Sequence, residues 1–400
     1  MKKAQLKYII PIPLVFVIAV AAFLLFQKDS LTVIDDRSPN SITEVDPTFD
    51  NSINASVTKC PMQGSIEYYH YSNPAPSEAR NNKFGLYIYA EVDKYFEFAR
   101  KLVNSNGGDW GYVLIPFNVR DNDSDKWTNV FQNLREKHLI PIIQLHDIDV
   151  SKYKSETDDA AEFLNKFVWP IRQRYISVYN EPNDAKFWGG YINAKEYAEI
   201  LNYTVDSFKD VNPDYFIMNG ALNTSAGNTA STMDAEDFIF KMESAVPGIF
   251  DKLDGWASHS YPQPNFSGSV SDTGRWSIRA YDAELKYLSS ALGVTKDLPV
   301  FITETGWAHA EGTSYNTSYL PVKKVAENMK KAYENYWLKD DRVVAVTPFT
   351  IWYREPFDHF AWVREDGMPY EQYEVIKSMK KVAGNPQKLE VSTTNMVTCN

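Results

Sequence analysis

The sequence is poor in cysteine and histidine and lacks an extended basic run. Its two cysteines, Cys60 and Cys399, lie near opposite ends of the 400 residues, and the six histidines are scattered between them. Ligands this sparse do not build a zinc centre, so we expect neither a metal nor a cofactor. The net charge is −11, and beyond the first seven residues no lysine- or arginine-rich run could neutralise phosphates, which excludes a nucleic-acid partner.

Motifs of several other enzyme classes are missing too. The chain has no Gly-x-Ser-x-Gly nucleophile elbow. The first strand-like run is followed by Ala90-Glu91-Val92-Asp93 and not by a glycine-rich phosphate loop. The acidic stretch 121–125 lacks the central glycine and the closing glutamate of an EF-hand. Serine-hydrolase, dinucleotide-binding and calcium-sensor chemistries are therefore disfavoured.

The N-terminus carries the longest apolar run. Lys2, Lys3 and Lys7 precede an uncharged segment from Tyr8 to Phe26, which is about long enough to cross the hydrocarbon core of a bilayer. The lysines place the start of the chain on the cytoplasmic side. Because the apolar run continues past the small residues where a signal peptidase would cut, we favour an uncleaved anchor over a cleaved signal peptide. The protein is then expected at the cell surface, or secreted if the segment is removed.

Composition divides the chain into three segments. Residues 1–29 form the cytoplasmic stub and the anchor, residues 30–60 a polar linker, and residues 61–400 a catalytic domain with terminal extensions. In an exported protein the economical interpretation of Cys60 and Cys399 is a disulfide that joins the two extensions. Two unrelated thiols are the alternative.

From about residue 84 the chain alternates short β-branched apolar runs with amphipathic helical segments. Eight such units in roughly 300 residues match a closed (β/α)₈ TIM barrel, and a doubly wound open sheet is the alternative on pattern alone. The expected strands are Phe84–Tyr89, Tyr112–Phe117, Ile140–His146, Tyr175–Asn180, Tyr215–Asn219, Trp256–His259, Val300–Glu304 and Ala345–Trp352.

Aromatic residues are the compositional outlier, with 10 Trp, 25 Tyr and 22 Phe. Most of them are expected to fill the barrel and its helix interfaces. Some of the excess suits a sugar ligand, because flat aromatic rings stack on the C–H faces of pyranoses.

Chemistry-bearing residues stand where the predicted strands end. Because the active site of a (β/α)₈ barrel forms at the carboxyl ends of its strands, these side chains should meet on one rim. They comprise two carboxylates, two histidines, an arginine, two amides, a tyrosine and a tryptophan: Asn118, Arg120, His146, Asn180, Glu181, His259, Tyr261, Glu304 and Trp352.

The two carboxylates are the decisive pair. Glycoside hydrolysis needs one carboxyl group that protonates the leaving oxygen and one that attacks or stabilises the anomeric carbon. Glu181 and Glu304 end the fourth and seventh predicted strands, which lie roughly across the barrel from each other. Two like charges this close raise one pKa, which supplies the acid.

Tyr179-Asn180-Glu181-Pro182-Asn183 and Ile302-Thr303-Glu304-Thr305-Gly306-Trp307 resemble the motifs of the clan A retaining glycoside hydrolases, most closely the family 39 and family 5 types. The resemblance covers about residues 84–383. It implies that Glu181 is the acid/base and Glu304 the nucleophile.

The same resemblance implies roles for the other rim residues. Asn180 would bind the 2-hydroxyl of the sugar, Tyr261 would hold Glu304, and His259 would support the acid/base. Trp352 would form the floor of the reacting subsite, with His146 and Arg120 as polar wall residues. The expected protein is a monomeric enzyme that cleaves the β-glycosidic bonds of an extracellular oligo- or polysaccharide with retention. A non-catalytic carbohydrate-binding barrel and a transglycosylase are the alternatives.

Overall fold

The computed structural model describes residues 64–72, 81–89 and 92–396. Ten strands lie within them. They are β1 (Gly64–Tyr71), β2 (Gly85–Tyr87), β3 (Gly111–Asn118), β4 (Leu139–His146), β5 (Arg174–Val178), β6 (Tyr215–Asn219), β7 (Trp256–His259), β8 (Val300–Glu304), β9 (Val343–Val346) and β10 (Leu389–Met396).

Strands β2 to β9 close into a barrel of eight parallel strands. Strands β2 to β6 form one continuous parallel sheet, and β7 to β9 form a second. Parallel bridges join the two sheets at both seams, from Met218 to Gly255 and from Phe84 to Val346. The predicted barrel is therefore confirmed over the open sheet. Strands β1 and β10 pair with each other in a separate two-stranded sheet.

A helix follows each barrel strand in the described part of the chain, as a (β/α)₈ fold requires. The helices are α1 (Asp93–Val103), α2 (Ser124–Glu136), α3 (Tyr153–Asn165), α4 (Ala194–Val211), α5 (Ala235–Ala245), α6 (Ile249–Lys252), α7 (Ala280–Leu292), α8 (Val322–Ala332) and α9 (Glu371–Ser378). Both α5 and α6 lie between β6 and β7. A π-helical turn, Tyr333–Trp337, extends α8.

Side chains alternate between two hydrophobic layers along the strands. In β3, Val113 and Ile115 face the shell between the strands and the helices, whereas Tyr112 and Leu114 belong to the barrel interior. This period of two is what a strand in a closed barrel imposes. The interior and the shell together bury most of the aromatic excess.

Four aromatic rings fill the lower barrel. Tyr112, Tyr175, Phe216 and Phe301 are each the second residue of their strand and pack with ring centroids 5.0–6.3 Å apart. The amino ends of the strands are thereby closed with apolar bulk. Polar side chains are left to the carboxyl ends, where the site forms.

Strand β9 is shorter than the predicted run. It ends at Val346, two residues before Pro348, which has no N–H to donate to a ladder. The apolar residues from Phe349 to Trp352 therefore lie in a loop and not in the strand.

Three predictions concern segments outside the described residues. The predicted anchor Tyr8–Phe26, on which the expected cell-surface location depends, lies there. Cys60 and Cys399, for which a disulfide is predicted, lie there as well. The proposed boundaries at residues 29 and 60 lie there as well. Among the residues that the structure does describe, no helix combines the length and apolarity needed to cross a bilayer.

Candidate active site

The structure brings Glu181 and Glu304 to the same end of the barrel. Glu304 is the last residue of β8, and Glu181 lies three residues beyond the end of β5. His259, the last residue of β7, pairs in register with Glu304. The two glutamate side chains are 14% and 13% exposed, whereas His259 is 1% exposed. The carboxylates are thus covered but reachable, with a buried imidazole beside them.

One nitrogen of His259 lies close to both carboxylates. Its Nδ1 is 2.9 Å from Glu181 Oε1 and 3.7 Å from Glu304 Oε2. The hydroxyl of Tyr261 donates to the same Oε2 of Glu304 at 3.1 Å. The four side chains therefore form one connected polar cluster.

The backbone around Glu181 is held in an uncommon conformation. Tyr179 and Glu181 have φ angles of 73° and 39°, in the left-handed region that non-glycine residues seldom occupy. The N–H of Glu181 donates to the carbonyl of Ala221 at 3.0 Å, which ties the loop to the end of β6. Such strain persists only where surrounding contacts fix it, and it is typical of functional sites.

Asn183 makes hydrogen bonds that hold this loop in place. Its side chain is fully buried, and its Nδ2 donates to the carbonyls of Asn223 and Met233 at 3.0 and 2.9 Å. Its Oδ1 accepts from the N–H of Asn223 at 2.9 Å. Asn183 thus fastens the loop after β5 to the loop after β6.

Burial and charge shift the pKa values within the cluster. Burial raises the pKa of Glu304 to about 7; the charge of His259 opposes this rise, and the charge of Glu181 adds to it. The raised pKa thus belongs to the expected nucleophile, whereas the sequence led us to expect it on the acid. For His259, burial lowers the pKa, but the carboxylates of Glu304 and Glu181 outweigh it and the net pKa is raised. Burial, followed by the charge of Glu304, raises the pKa of Tyr261 well above its ordinary value. Tyr261 therefore stays protonated and acts as a donor.

Asn180 lies beside this cluster with a fixed orientation. Its Oδ1 accepts from Nε2 of Gln144 at 3.1 Å, and Gln144 is buried on β4. This contact leaves the amide nitrogen of Asn180 to serve as a donor. Gln144 itself was not predicted; its signal in the sequence is a single polar residue inside the apolar strand β4.

His146 and Arg120 lie at the ends of neighbouring strands but are arranged differently. Nδ1 of His146 is 3.0 Å from Asp147 Oδ2, which also accepts from Asn118 Nδ2 at 3.0 Å. Arg120 is exposed, and its backbone N–H donates to Oδ1 of Asn118 at 2.9 Å. His146 thus belongs to a polar network on the rim, while the side chain of Arg120 points to solvent-accessible space.

Trp352 lies away from the expected position. It is half-buried and lines a surface pocket with Val92, Tyr95, Phe98 and Val363, beside the start of α1. The physical reason is the early end of β9, after which the chain leaves the barrel wall.

Phe349 takes the place beside Glu304 instead. Its N–H donates at 3.1 Å to the carbonyl of Thr305, the residue after Glu304. Its ring lies 5.9 Å from that of Phe360, which in turn lies 5.9 Å from Tyr261. The sequence contains the signal, an aromatic residue just past β9, but three aromatic candidates follow one another there.

Two tyrosines lie next to Phe349, and we call Phe349, Tyr89 and Tyr353 together the aromatic wall. The rings of Tyr89 and Tyr353 are 5.7 Å apart, and the ring of Tyr353 is 5.9 Å from Phe349. Burial raises the pKa of both hydroxyls, and the charge of Glu304 contributes to each shift. Neither was predicted as a site residue.

No metal site accompanies these groups in the described residues, where no cluster of three or more His, Cys, Asp or Glu side chains has the geometry to hold an ion. The side chains of the cluster can themselves supply proton transfer and carboxylate attack.

Comparison with known proteins gives structural likeness only. No family model and no curated protein matches the chain. A glucosidase from Croceicoccus marinus aligns with a TM-score of 0.54 and 12% identity, over 81% of this chain and 72% of that one. The family 51 α-L-arabinofuranosidase AbfB from Bifidobacterium longum aligns with a TM-score of 0.51 and 12% identity, over 80% and 77% of the two chains.

A fungal β-1,4-galactanase aligns with a TM-score of 0.51 and 14% identity, over 74% of this chain and 99% of that one. At identities this low the likeness shows the fold alone. The chain has the (β/α)₈ fold that these glycosidases share.

Proposed function

We propose that the protein is a retaining β-glycoside hydrolase of the clan A type, with Glu181 as acid/base and Glu304 as nucleophile. The observation that carries the proposal is the contact of a single His259 nitrogen with both carboxylates. The two carboxylate oxygens can be no farther apart than the sum of the 2.9 and 3.7 Å distances.

That upper limit falls at the short end of the roughly 6.5–9.5 Å found between the carboxyls of inverting enzymes. Any bend at the His259 nitrogen brings the oxygens closer, toward the roughly 5–5.5 Å of retaining enzymes. Our proposal places the carboxyls within this limit at the retaining distance, where a carboxylate attacks directly and no water is interposed.

The reaction then has two steps. Protonated Glu181 gives its proton to the glycosidic oxygen as a carboxylate oxygen of Glu304 attacks the anomeric carbon, and the aglycone leaves as an alcohol. Next, ionised Glu181 takes a proton from water, and the resulting hydroxide attacks the anomeric carbon. The bond to Glu304 breaks, and the sugar is released with its original configuration.

Three neighbours support these roles. The donor nitrogen of Asn180 suits the 2-hydroxyl of the reacting sugar, a contact that strengthens in the transition state. The Tyr261 hydroxyl favours the ionised form of Glu304 by hydrogen bonding to it. His259 orients Glu181 through the 2.9 Å contact.

The aromatic wall is assigned to substrate binding. We place Phe349, with Tyr89 and Tyr353, at the subsite that the sequence assigned to Trp352. His146 is a candidate for contact with sugar hydroxyls on the same rim. The three structural neighbours act, by their names, on glucosides, arabinofuranosides and galactans. That spread favours an oligo- or polysaccharide substrate without selecting the sugar. We also propose an extracellular setting, because the apolar N-terminal segment has the pattern of a membrane anchor.

The test begins with a panel of 4-nitrophenyl β-glycosides together with β-glucan, xylan and mannan. Wild-type protein should hydrolyse at least one of them, and NMR of the first-formed sugar should show the β-anomer. Glu304→Gln should lower kcat at least about 10³-fold, because it removes the nucleophile and not a binding contact. Glu327→Gln, an exposed change on α8, is the matched control and should leave kcat unchanged.

Other outcomes select the alternatives. Sugar binding without turnover in the wild type would indicate a carbohydrate-binding barrel. Products longer than the substrate would indicate a transglycosylase. A first-formed α-anomer would overturn the retaining mechanism.

A further inference from the structure

Loops from opposite strands touch each other across the mouth of the barrel. Nζ of Lys186, in the loop after β5, lies 5.1 Å from the ring centroid of Phe357, in the loop after β9. The same Nζ lies 5.0 Å from the ring of its neighbour Phe187. In an eight-stranded barrel, β5 and β9 are four strands apart and therefore stand on opposite sides of the axis. We call the pair Lys186 and Phe357 the strap.

One end of the strap is built on the loop of Glu181. The N–H of Asp184 donates to the carbonyl of Glu181 at 2.9 Å. Oδ1 of Asp184 in turn accepts from the N–H of Lys186, also at 2.9 Å. Two successive hydrogen bonds thus fix the strap lysine relative to the acid/base.

The other end lies in the loop after β9 and is connected through Phe349 to the residue that follows Glu304. The ring of Phe357 lies 6.1 Å from that of Phe349, which is hydrogen bonded through its N–H to the carbonyl of Thr305. Phe357 also packs edge-on against Tyr353 at 5.6 Å. The strap is therefore part of the Glu181 loop at one end and is linked to the Glu304 loop through Phe349 at the other.

This arrangement divides the mouth of the barrel into two halves. The loops after β6, β7 and β8 lie on one side of the strap, and those after β2, β3 and β4 on the other. The glutamate side chains, which belong to β5 and β8, are covered, with exposures of only 14% and 13%. Because the strap joins loops on opposite sides of the barrel axis, a glycan that runs from one half to the other crosses its line.

We propose that the strap restricts this enzyme to the ends of glycan chains, so that it acts as an exo-glycosidase. The inference rests on the proposed glycosidase function. A chain end can be threaded under the strap, whereas the middle of a long chain can enter only when the contact opens.

The test compares two measurements on the linear polysaccharide, β-glucan, xylan or mannan, that the wild type cleaves. Reducing ends count the bonds broken, and viscosity reports breaks in the middle of chains. Wild-type protein should release reducing ends with little loss of viscosity. Lys186→Met and Phe357→Leu each remove the strap contact, and each should raise the viscosity loss per bond broken by about fivefold, the effect expected of one partly exposed cation–π contact.

The controls separate this proposal from the proposed function. Lys154→Met removes a cation–π contact with Tyr203 on the outer helices, 5.5 Å from the ring, and should leave the ratio unchanged. The double variant should show no more than the effect of one single variant, because both remove the same contact. Two outcomes would overturn the strap proposal alone, provided that the wild type hydrolyses 4-nitrophenyl β-glycosides. One is a viscosity loss per bond broken that does not change in the strap variants, and the other is rapid viscosity loss with the wild type. Absence of all hydrolysis overturns both.

Discussion

His259 contacts both carboxylates, and the position of one shared proton decides whether Glu181 is charged. The proposed working form has neutral His259, protonated Glu181 and ionised Glu304. A second form, with cationic His259 and both carboxylates ionised, holds the same number of protons. The two differ by the transfer of one proton along the 2.9 Å contact between Nδ1 and Glu181 Oε1. The imidazole can therefore hold the proton of the acid without changing the net charge of the site.

Removal of the Tyr261 hydroxyl tests the ionisation of Glu304. Burial raises the pKa of Glu304 to about 7, and the hydrogen bond from Tyr261 acts against that rise. Tyr261→Phe should therefore raise this pKa further. Since Glu304 must be ionised to attack, activity is lost as the pH falls through its pKa. The acidic limb of the kcat/KM profile should move to higher pH, with a loss of roughly 10–100-fold at pH 6, the size of a hydrogen bond to a charged group.

A tyrosine elsewhere supplies the control for this measurement. Tyr203 donates to Asp158 Oδ2 at 2.8 Å on the outer helices, so Tyr203→Phe removes the same kind of bond far from the site. Its pH profile should match the wild type. An acidic limb that stays in place in Tyr261→Phe would refute the role assigned to the hydroxyl.

At the scale of elements, helix α4 connects the Glu181 loop to the helical shell. The sequence suggests a capping box between Asn193 and Glu196. The structure contains half of it: Oδ1 of Asn193 accepts from the N–H of Glu196 at 3.2 Å. The Glu196 carboxylate instead accepts from Trp188 Nε1 at 3.1 Å and from the Tyr191 hydroxyl at 2.7 Å. Glu196 therefore anchors the loop, while Asn193 caps the helix.

Loss of this cap should weaken the fold without altering the chemistry. Asn193→Ala leaves an N–H at the start of the 18-residue helix α4 without its side-chain acceptor. The expected cost is about 1 kcal/mol in the free energy of unfolding, measured by urea denaturation. Asn193→Ser retains an acceptor and should lie within a few tenths of a kcal/mol of the wild type. Equal stability of the Ala and Ser variants would contradict the capping role.

Elements with strong local patterns could be predicted, and those that depend on distant contacts could not. Strand β8 was predicted with its observed bounds because four apolar or β-branched residues are followed directly by Glu304. For β9, the apolar run continues through Trp352, and composition cannot distinguish a strand from a buried loop. The longer predicted strand pointed to Trp352 as the subsite aromatic, whereas our proposal for that subsite is Phe349. The contact of Lys186 with Phe357 has no local signature at all.

At the scale of the whole molecule, the buried ionisable groups set how stability depends on pH. Glu284 on α7 is 5% exposed, and its Oε2 accepts from Trp256 Nε1 at 3.1 Å. Burial raises its pKa to about 7, the same direction as for Glu304. The pKa of His259 is also raised. Burial lowers the pKa of His309, which acts in the opposite sense.

The sign of the effect follows from proton counting. A carboxyl whose pKa is higher in the folded protein binds more protons there than in the unfolded chain. Its contribution to stability is therefore complete below the unfolded pKa and is lost as the pH rises through the folded value. Glu284 and Glu304 place that loss between about pH 4.5 and 7. The net charge of −11 adds self-repulsion over the same range.

We therefore expect the protein to unfold at a higher temperature at pH 5.5 than at pH 8. Glu284→Gln mimics the protonated carboxyl and still offers an oxygen to Trp256, so it should match the wild type near pH 5. At pH 8 it should be more stable by about 1–3 kcal/mol, because no buried charge forms. Thermal unfolding between pH 5 and 8 measures both effects, with the exposed change Glu327→Gln as the control that keeps the wild-type slope. A wild type that gains stability toward pH 8, or a Gln variant with an unchanged slope, would rule out Glu284 as a source of the pH dependence.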